Sequence, residues 1–151
     1  MSRVEDIRGL FPSLPPREAG LTAPLVLAYI GDTVYDLYVR TLLVHQSDAT
    51  AHGFHVMAAR LVRAEAQSEA YRRIAEGLTP EETAVYKRGR NAHMGSIPKH
   101  ASIAEYRAAS GLEAVLGYLF LSGQDERIGQ LMQAILEPTF TAQTGGKEKK
   151  Q

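Results

Sequence analysis

The sequence predicts an all-α fold. Apolar residues recur at helical spacing through most of the 151 residues, and no stretch has the strict alternation that is typical of a strand. Capping residues and prolines mark where helices begin, as at Thr79, which is followed by a proline and two glutamates. The hydrophobic share of 44% is enough for the core of one domain. We therefore expect a single helical bundle.

The helix signals place six segments along the chain. A short helix and an extended stretch are expected up to Gly20, and further helices are expected over about residues 22–44, 49–76, 79–90, 102–121 and 126–137.

Thr22, Ser47 or Asp48, and Ser102 are the expected N-caps of three of these helices.

Three glycine and proline positions bear on where the helices end. Gly77 is a plausible end of the helix over residues 49–76, and the next helix could be interrupted near Gly111. Pro138 is expected to end the last helix. We therefore divide the chain into a domain at residues 1–137 and a flexible tail at residues 138–151.

Composition excludes several kinds of site. The chain has no cysteine, so it can form neither a disulfide nor a Cys-ligated zinc site. Its formal net charge is zero, so any site for a polyanion must be a local basic patch. We find no signal-peptide pattern and no stretch apolar enough to span a bilayer. These features predict a cytoplasmic protein with no membrane contact.

Asp32 lies in a helix that is otherwise apolar on nearly every side, over residues 27–40. A buried carboxylate is costly to desolvate, and Gly31 beside it weakens the helix further. The pair suggests a site where a ligand approaches the carboxylate across an open backbone. Glu113 repeats this pattern in a second apolar helix, over residues 111–121.

Two such carboxylates allow three interpretations. One could pair with an arginine such as Arg40 or Arg107, both could lie on narrow polar stripes at the surface, or both could converge on a hard cation. The third follows from the preference of Mg²⁺ and Mn²⁺ for oxygen ligands. Asp36, one helical turn after Asp32, could extend the acidic site or form an i,i+4 ion pair with Arg40. The residues alone leave these alternatives open.

The acidic helices resemble those of the ribonuclease III family. Residues 29–34, YIGDTV, resemble its signature helix, and residues 111–121, GLEAVLGYLFL, resemble its second acidic motif. Residues 60–63 look like the family's middle helix, and residues 64–67 and 89–92 are similar to patterns of the small bacterial branch, Mini-ribonuclease III. Each motif is weak by itself, but their order and spacing are specific.

The resemblance implies a ribonuclease III-like helical bundle that forms a homodimer and cleaves double-stranded RNA. Asp32 and Glu113 match the two acids that hold the family's catalytic metal, Mg²⁺ with Mn²⁺ as the alternative. Water activated by the metal attacks the phosphodiester and leaves a 5′-phosphate. The resemblance further implies maturation of 23S ribosomal RNA precursor ends, with a ribosomal protein as a candidate partner. Tyr29 resembles the family's aromatic dimer contact.

Two positions depart from the pattern of the larger family members. Those proteins carry a glutamate four residues before the signature aspartate and an aspartate three residues before the second glutamate, where this chain has Ala28 and Ser110. The missing acids put the strength of metal binding in doubt. An alternative function is therefore a catalytically silent RNA-binding or ribosome-assembly module on the same fold. A third is an unrelated helical interaction protein whose acids pair with arginines.

Basic and polar residues cluster in the second half of the chain, ahead of the second acidic motif. As RNA contacts we expect Lys87, Arg88, Arg90, Asn91, Lys99, His100 and Arg107. Phosphate contacts from such residues supply most of the affinity for RNA, and A-form RNA is read mainly by shape. The alternative for these residues is an ordinary solvated loop.

Overall fold

The computed structural model describes residues 7–92 and 102–149, with side chains described as far as Thr139. In chain order the helices are α1 (Ile7–Leu10), α2 (Pro16–Leu21), α3 (Pro24–Gln46), α4 (Ala51–Val62), α5 (Ala64–Ile74), α6 (Pro80–Asn91), α7 (Ile103–Leu121) and α8 (Asp125–Lys149). A short 3-10 turn, Ala75–Gly77, joins α5 to α6. Every regular element within these residues is helical, which confirms the all-α prediction.

Helix α7 is the centre of the bundle. It contacts α2, α3, α5, α6 and α8. From Ala109 to Leu119 its apolar side chains are buried on all sides, and Leu112, Val115 and Leu116 have no exposed surface. Burying each such side chain stabilises the fold by about 1.5–3 kcal/mol. A helix that is apolar all round is expected in this position, and it carries Glu113 into the domain.

Two glycines let α3 and α7 pack backbone against backbone. A Cβ on Gly31 would overlap the carbonyl oxygen of Glu113, and a Cβ on Gly117 would overlap the carbonyl oxygen of Leu27. Only glycine fits at either position while the helices keep this approach. The prediction that Gly31 leaves an open backbone for a ligand is therefore wrong, because α7 covers it.

Helix α6 crosses α7 at a second contact between small residues. A Cβ on Gly89 would lie 2.7 Å from the Cβ of Ala114, and a Cβ on Gly111 would lie 2.6 Å from the ring of Tyr86. Gly111 thus serves packing, and α7 runs through it without the interruption that the sequence left open.

Two helix starts follow their sequence signals. Thr79 Oγ1 accepts a hydrogen bond from the N–H of Glu82 at 3.1 Å, and the Glu82 carboxylate accepts from the N–H of Thr79 at 2.9 Å. Ser102 and Glu105 form the same capping box at α7. Arg127 of α8 donates two hydrogen bonds to the buried Glu82 carboxylate. Burial favours a raised pKa for Glu82, but the bonds from Arg127 and Thr79 hold that pKa below its ordinary value. The ionised pair therefore fastens α6 to α8.

The predicted helix over residues 49–76 is two helices. α4 ends at Val62 and α5 begins at Ala64, because Arg63 between them has an extended backbone with φ −69° and ψ 157°. One extended residue changes the direction of the chain without disturbing the helical recurrence of apolar positions on either side. Periodicity therefore did not reveal it.

Two N-caps differ from their predictions. Helix α3 follows Ala23, which offers no side-chain cap, instead of Thr22. Helix α4 is capped by Thr50, instead of Ser47 or Asp48, and the Thr50 hydroxyl accepts from a backbone N–H at 3.0 Å.

Helix α8 continues past Pro138 to Lys149, so the prediction that Pro138 ends the helix is wrong. Proline lacks an N–H, which removes the backbone hydrogen bond to Ala134, but the turns on either side keep helical geometry. The division of the chain at this proline into a domain and a flexible tail stays a prediction.

Replacing Gly31 by alanine is expected to destabilise the fold by about 2–4 kcal/mol, because the added methyl must push α3 away from α7. The matched control is Gly129→Ala on α8, where nothing lies within 4 Å of the added Cβ. That change is expected to stabilise the fold by about 0.4–1 kcal/mol. Urea unfolding measures both, and equal effects of the two substitutions would contradict the close helix contact.

Candidate active site

The crossing of α3 and α7 places Asp32 next to Glu113. Asp32 directly follows Gly31, which lies on the backbone of Glu113. The carboxyl groups of Asp32 and Glu113 hydrogen-bond each other. The two acids that the sequence singles out on separate helices thus form one acid pair.

The two acids differ in their exposure. Asp32 is exposed, so the prediction that its carboxylate is buried in an apolar helix is wrong. The apolar residues around it include Tyr29, which is 77% exposed. The apolar character of α3 thus reflects an uncovered surface as well as a buried one. Glu113 is only partly exposed.

The pKa of Glu113 is raised to about 9, first by burial and then by the hydrogen bond and the negative charge of Asp32. A hydrogen bond from the Gln67 side chain opposes this shift. Without a cation, Glu113 is therefore protonated at neutral pH and donates its hydrogen bond to Asp32. The pair holds one proton where two ionised carboxylates would repel each other.

Asp36 forms the i,i+4 ion pair that was one of its two alternatives. Its Oδ2 lies 2.9 Å from Nε of Arg40. Arg40 is thus engaged on its own helix. Among the described residues, no arginine forms an ion pair with Asp32 or Glu113.

The positions where larger family members carry further acids are closed off. Ala28 and Ser110 lie about one turn before Asp32 and Glu113, and both are buried. The carboxylates at this site are therefore Asp32 and Glu113 alone among the residues that the structure describes. Likewise, no group of three or more His, Asp or Glu residues in the described part of the chain could hold a metal ion.

The acid pair fits a hard divalent cation in its chemistry. Mg²⁺ commonly takes one or two carboxylates and keeps several waters. A cation between Asp32 and Glu113 would take the place of the proton that Glu113 holds. These two residues would hold the metal, with water and phosphate oxygens as the remaining ligands.

Two further residues at the site were not singled out from the sequence. Gln67 is 2% exposed and hydrogen-bonds Glu113. Tyr35 is also buried, and its hydroxyl donates to the carbonyl of Leu61 at 3.3 Å. Burial raises the pKa of Tyr35 to about 12, so its phenol keeps the proton that it donates. The available signal for Gln67 was an amide within the branch motif at residues 64–67.

The predicted RNA contacts on α6 lie on a helix that packs against α7, the helix of Glu113. They lie in the last turns of α6. This helix crosses α7 at Gly111 and Ala114, and Glu113 lies between these two residues in the α7 sequence. Lys87 and Arg88 are exposed.

The arginines of α6 already have contacts within the chain. Arg88 donates to the backbone carbonyls of Gly20 and Thr22, where α2 leads into α3. Arg90 donates to the Asn91 side chain at 3.1 Å and lies over the Tyr86 ring.

Arg107 is exposed on α7. Lys99 and His100 lie outside the described residues.

Comparison with known proteins agrees with the fold and the motifs. Residues 25–124 match the family model of the Ribonuclease III domain. The chain is 43% identical to Mini-ribonuclease 3 of Clostridium tetani over 114 residues, which cover 75% of this chain and 76% of that protein. It is 44% identical to Mini-ribonuclease 3 of Brevibacillus brevis over 117 residues, which cover 78% of this chain and 87% of that protein. A solved protein structure from Fusobacterium nucleatum aligns with a TM-score of 0.72 at 25% identity, covering 79% of this chain and 95% of that one.

The helical bundle is that of a ribonuclease III domain, whose family model matches residues 25–124. The chain belongs to the ribonuclease III family, in the Mini-ribonuclease 3 branch. The resemblance that the motifs carried is thereby confirmed. In the part of the chain that the structure describes, no helix has the length and apolar character needed to cross a membrane.

Without metal, the protein is expected to lose stability as the pH rises from about 4.5 to 9. The folded pKa of Glu113, about 9, lies above the ordinary value of 4.5, so the folded state keeps a proton that the unfolded chain releases in this window. The melting temperature of metal-free protein should therefore fall across this range. Glu113→Gln, which cannot ionise, should remove much of the fall, whereas Glu69→Gln on the exposed face of α5 should not. An unchanged slope in Glu113→Gln would count against the shifted pKa.

Proposed function

We propose that this chain is a metal-dependent endoribonuclease that cleaves double-stranded RNA. The observation that carries the proposal is the contact between Asp32 and Glu113 at the crossing of α3 and α7. Membership of the ribonuclease III family supports it. Cleavage leaves a 5′-phosphate and a 3′-hydroxyl.

Asp32 and Glu113 hold Mg²⁺, or Mn²⁺ in its place. The bound ion supplies an activated water and stabilises negative charge on the phosphate. Asp32 is exposed and is therefore the acid that substrate can reach. Glu113 would hold the cation with its carboxylate after losing the proton that it carries in the metal-free protein. Metal binding is consequently weaker at acid pH.

RNA binds through phosphate contacts beside the acid pair. Among the described residues the contacts are Lys87, Arg88, Arg90, Asn91 and Arg107, and we extend the proposal to Lys99 and His100. The contacts of Arg88 with the carbonyls between α2 and α3 fix its position, which lowers the entropy lost when it meets a phosphate. Such contacts make RNA affinity fall with salt.

The protein acts as a homodimer. One face of α3 carries exposed apolar residues at helical spacing, with exposed fractions of 50% at Val26, 77% at Tyr29, 63% at Leu37 and 63% at Val44. We name these four residues the α3 stripe. An apolar stripe of this length is typical of an interface. Because Asp32 lies on the same helix, pairing of two stripes brings two acid pairs to one duplex.

The substrate that we propose is the duplex at the ends of 23S ribosomal RNA precursors, processed in the cytoplasm with a ribosomal protein as a candidate partner. This part of the proposal rests on the resemblance to the Mini-ribonuclease 3 branch. Cleavage of a precursor duplex at the mature ends, compared with an unrelated duplex of equal length, tests it. Equal cleavage of both duplexes at scattered positions would contradict it.

Asp32→Asn and Glu113→Gln are each expected to lower the rate of duplex RNA cleavage in Mg²⁺ roughly 100-fold or more, because each removes half of the proposed carboxylate set. The matched control is Asp36→Asn, which neutralises an acid one turn along the same helix that is paired with Arg40. It should keep most of the activity. The readout is gel analysis of end-labelled duplex RNA.

The same experiment distinguishes the catalytically silent RNA-binding module, which the absence of acids at Ala28 and Ser110 favours. Tight duplex binding by the wild type with no cleavage in Mg²⁺ or Mn²⁺ would support that function instead. Without metal, Asp32→Asn should melt at the same temperature as the wild type or higher, since it removes a charge next to Glu113. A large drop in its melting temperature would indicate a purely structural acid.

Leu37→Asp is expected to convert the dimer to a monomer, because it places a charge in the middle of the α3 stripe. The matched control is Ile103→Asp, which changes an apolar residue that is 53% exposed at the start of α7. An acid there is favourable to the helix dipole, so folding should not suffer. Sedimentation equilibrium measures the oligomeric state. A dimer that persists in Leu37→Asp would exclude the stripe as the interface.

A further inference from the structure

The break between α4 and α5 lies next to the acid pair. We name this break, at the extended residue Arg63, the elbow. The last carbonyl groups of a helix have no partner within the helix and need one from elsewhere. At the elbow, side chains from α3 and α5 supply these hydrogen-bond partners. Tyr35 of α3 donates to the carbonyl of Leu61 at 3.3 Å, and Gln67 Nε2 of α5 donates to the carbonyl of Val62 at 2.9 Å.

Gln67 connects the elbow with the acid pair. It lies on α5 beneath the elbow and is 2% exposed. The same side chain that donates to Val62 also hydrogen-bonds the carboxyl group of Glu113. Its amide group is thus held between a fixed backbone carbonyl and the less exposed member of the acid pair.

The carbonyl oxygen of the Gln67 side-chain amide indicates that Gln67 does more than stabilise the fold. Its Oε1 atom is buried and has no hydrogen-bond partner among the described residues. A buried acceptor without a partner destabilises a fold, and native proteins hold few of them. A methionine or leucine would fill the same space without such an acceptor. An amide retained here is explained by its donor end, which an apolar side chain cannot replace.

We propose that Gln67 is a positioning residue, which holds the Glu113 carboxylate in the orientation that binds the metal. The inference rests on the proposed function, because it assigns the acid pair to a cation. Gln67 is too buried to touch RNA, so it acts through Glu113. Groups that hydrogen-bond a metal ligand fix its orientation, and their loss typically lowers metal affinity or activity about 10–100-fold.

The test is Gln67→Met, which keeps the length of the side chain and removes the N–H donor. Binding of Mn²⁺ alone, without RNA, is measured by isothermal titration calorimetry and is expected to weaken about 10–100-fold. In cleavage assays at saturating Mg²⁺, kcat should fall while KM for duplex RNA stays within about twofold, since no RNA contact is lost. The matched control is Ser68→Ala, the neighbouring buried polar residue on α5, which should leave both unchanged.

The outcomes separate the two proposals. If the wild type cleaves RNA, Asp32→Asn does not, and Gln67→Met binds Mn²⁺ and cleaves as the wild type does, the positioning role is overturned and the proposed function stands. If the wild type neither binds Mn²⁺ nor cleaves, the proposed function fails. Should methionine prevent folding, Gln67→Asn keeps the amide on a shorter side chain that cannot reach both partners. Wild-type Mn²⁺ affinity in folded Gln67→Asn would equally overturn the role.

Discussion

The contact of α3 with α7 through Gly31 and Gly117 is the constraint on which the site depends. Each glycine lies against a backbone carbonyl of the other helix, so the separation of the helices is set by main-chain atoms. Glu113 is one of the residues at this contact, and Asp32 directly follows Gly31, which is another. The distance between the carboxylates therefore follows from the helix crossing and needs no loop to bring them together.

This arrangement explains how the fold remains stable although it contains an acid pair that does not stabilise it. The crossing is stabilised by the burial of apolar residues around α7, among them Leu112 and Leu116, which have no exposed surface. Against that background the fold can tolerate the desolvation of Glu113, whose pKa is raised to about 9. The proton on Glu113 removes the repulsion between the two acids.

The sequence predicted the fold class and most helices, and it singled out both acids, because these depend on patterns within single helices. Asp32 and Glu113 each stood out as a charge among apolar residues. The exposure of Asp32 could not be predicted in this way, since the apolar residues of α3 serve two surfaces and periodicity does not say which of them is covered. The elbow was also missed, because a single extended residue at Arg63 leaves the apolar recurrence intact. The contacts of Gln67 with Val62 and Glu113 could not be predicted either, because they depend on the change of chain direction at the elbow.

The α3 helix has two sides with separate tasks. Its inner side fixes the position of Asp32 through backbone contacts with α7. Its outer side, which includes Tyr29 and Leu37, is exposed and is not covered by any other described part of the chain. A substitution that keeps the outer side apolar can therefore change that surface without moving Asp32, because main-chain contacts with α7 set the position of Asp32.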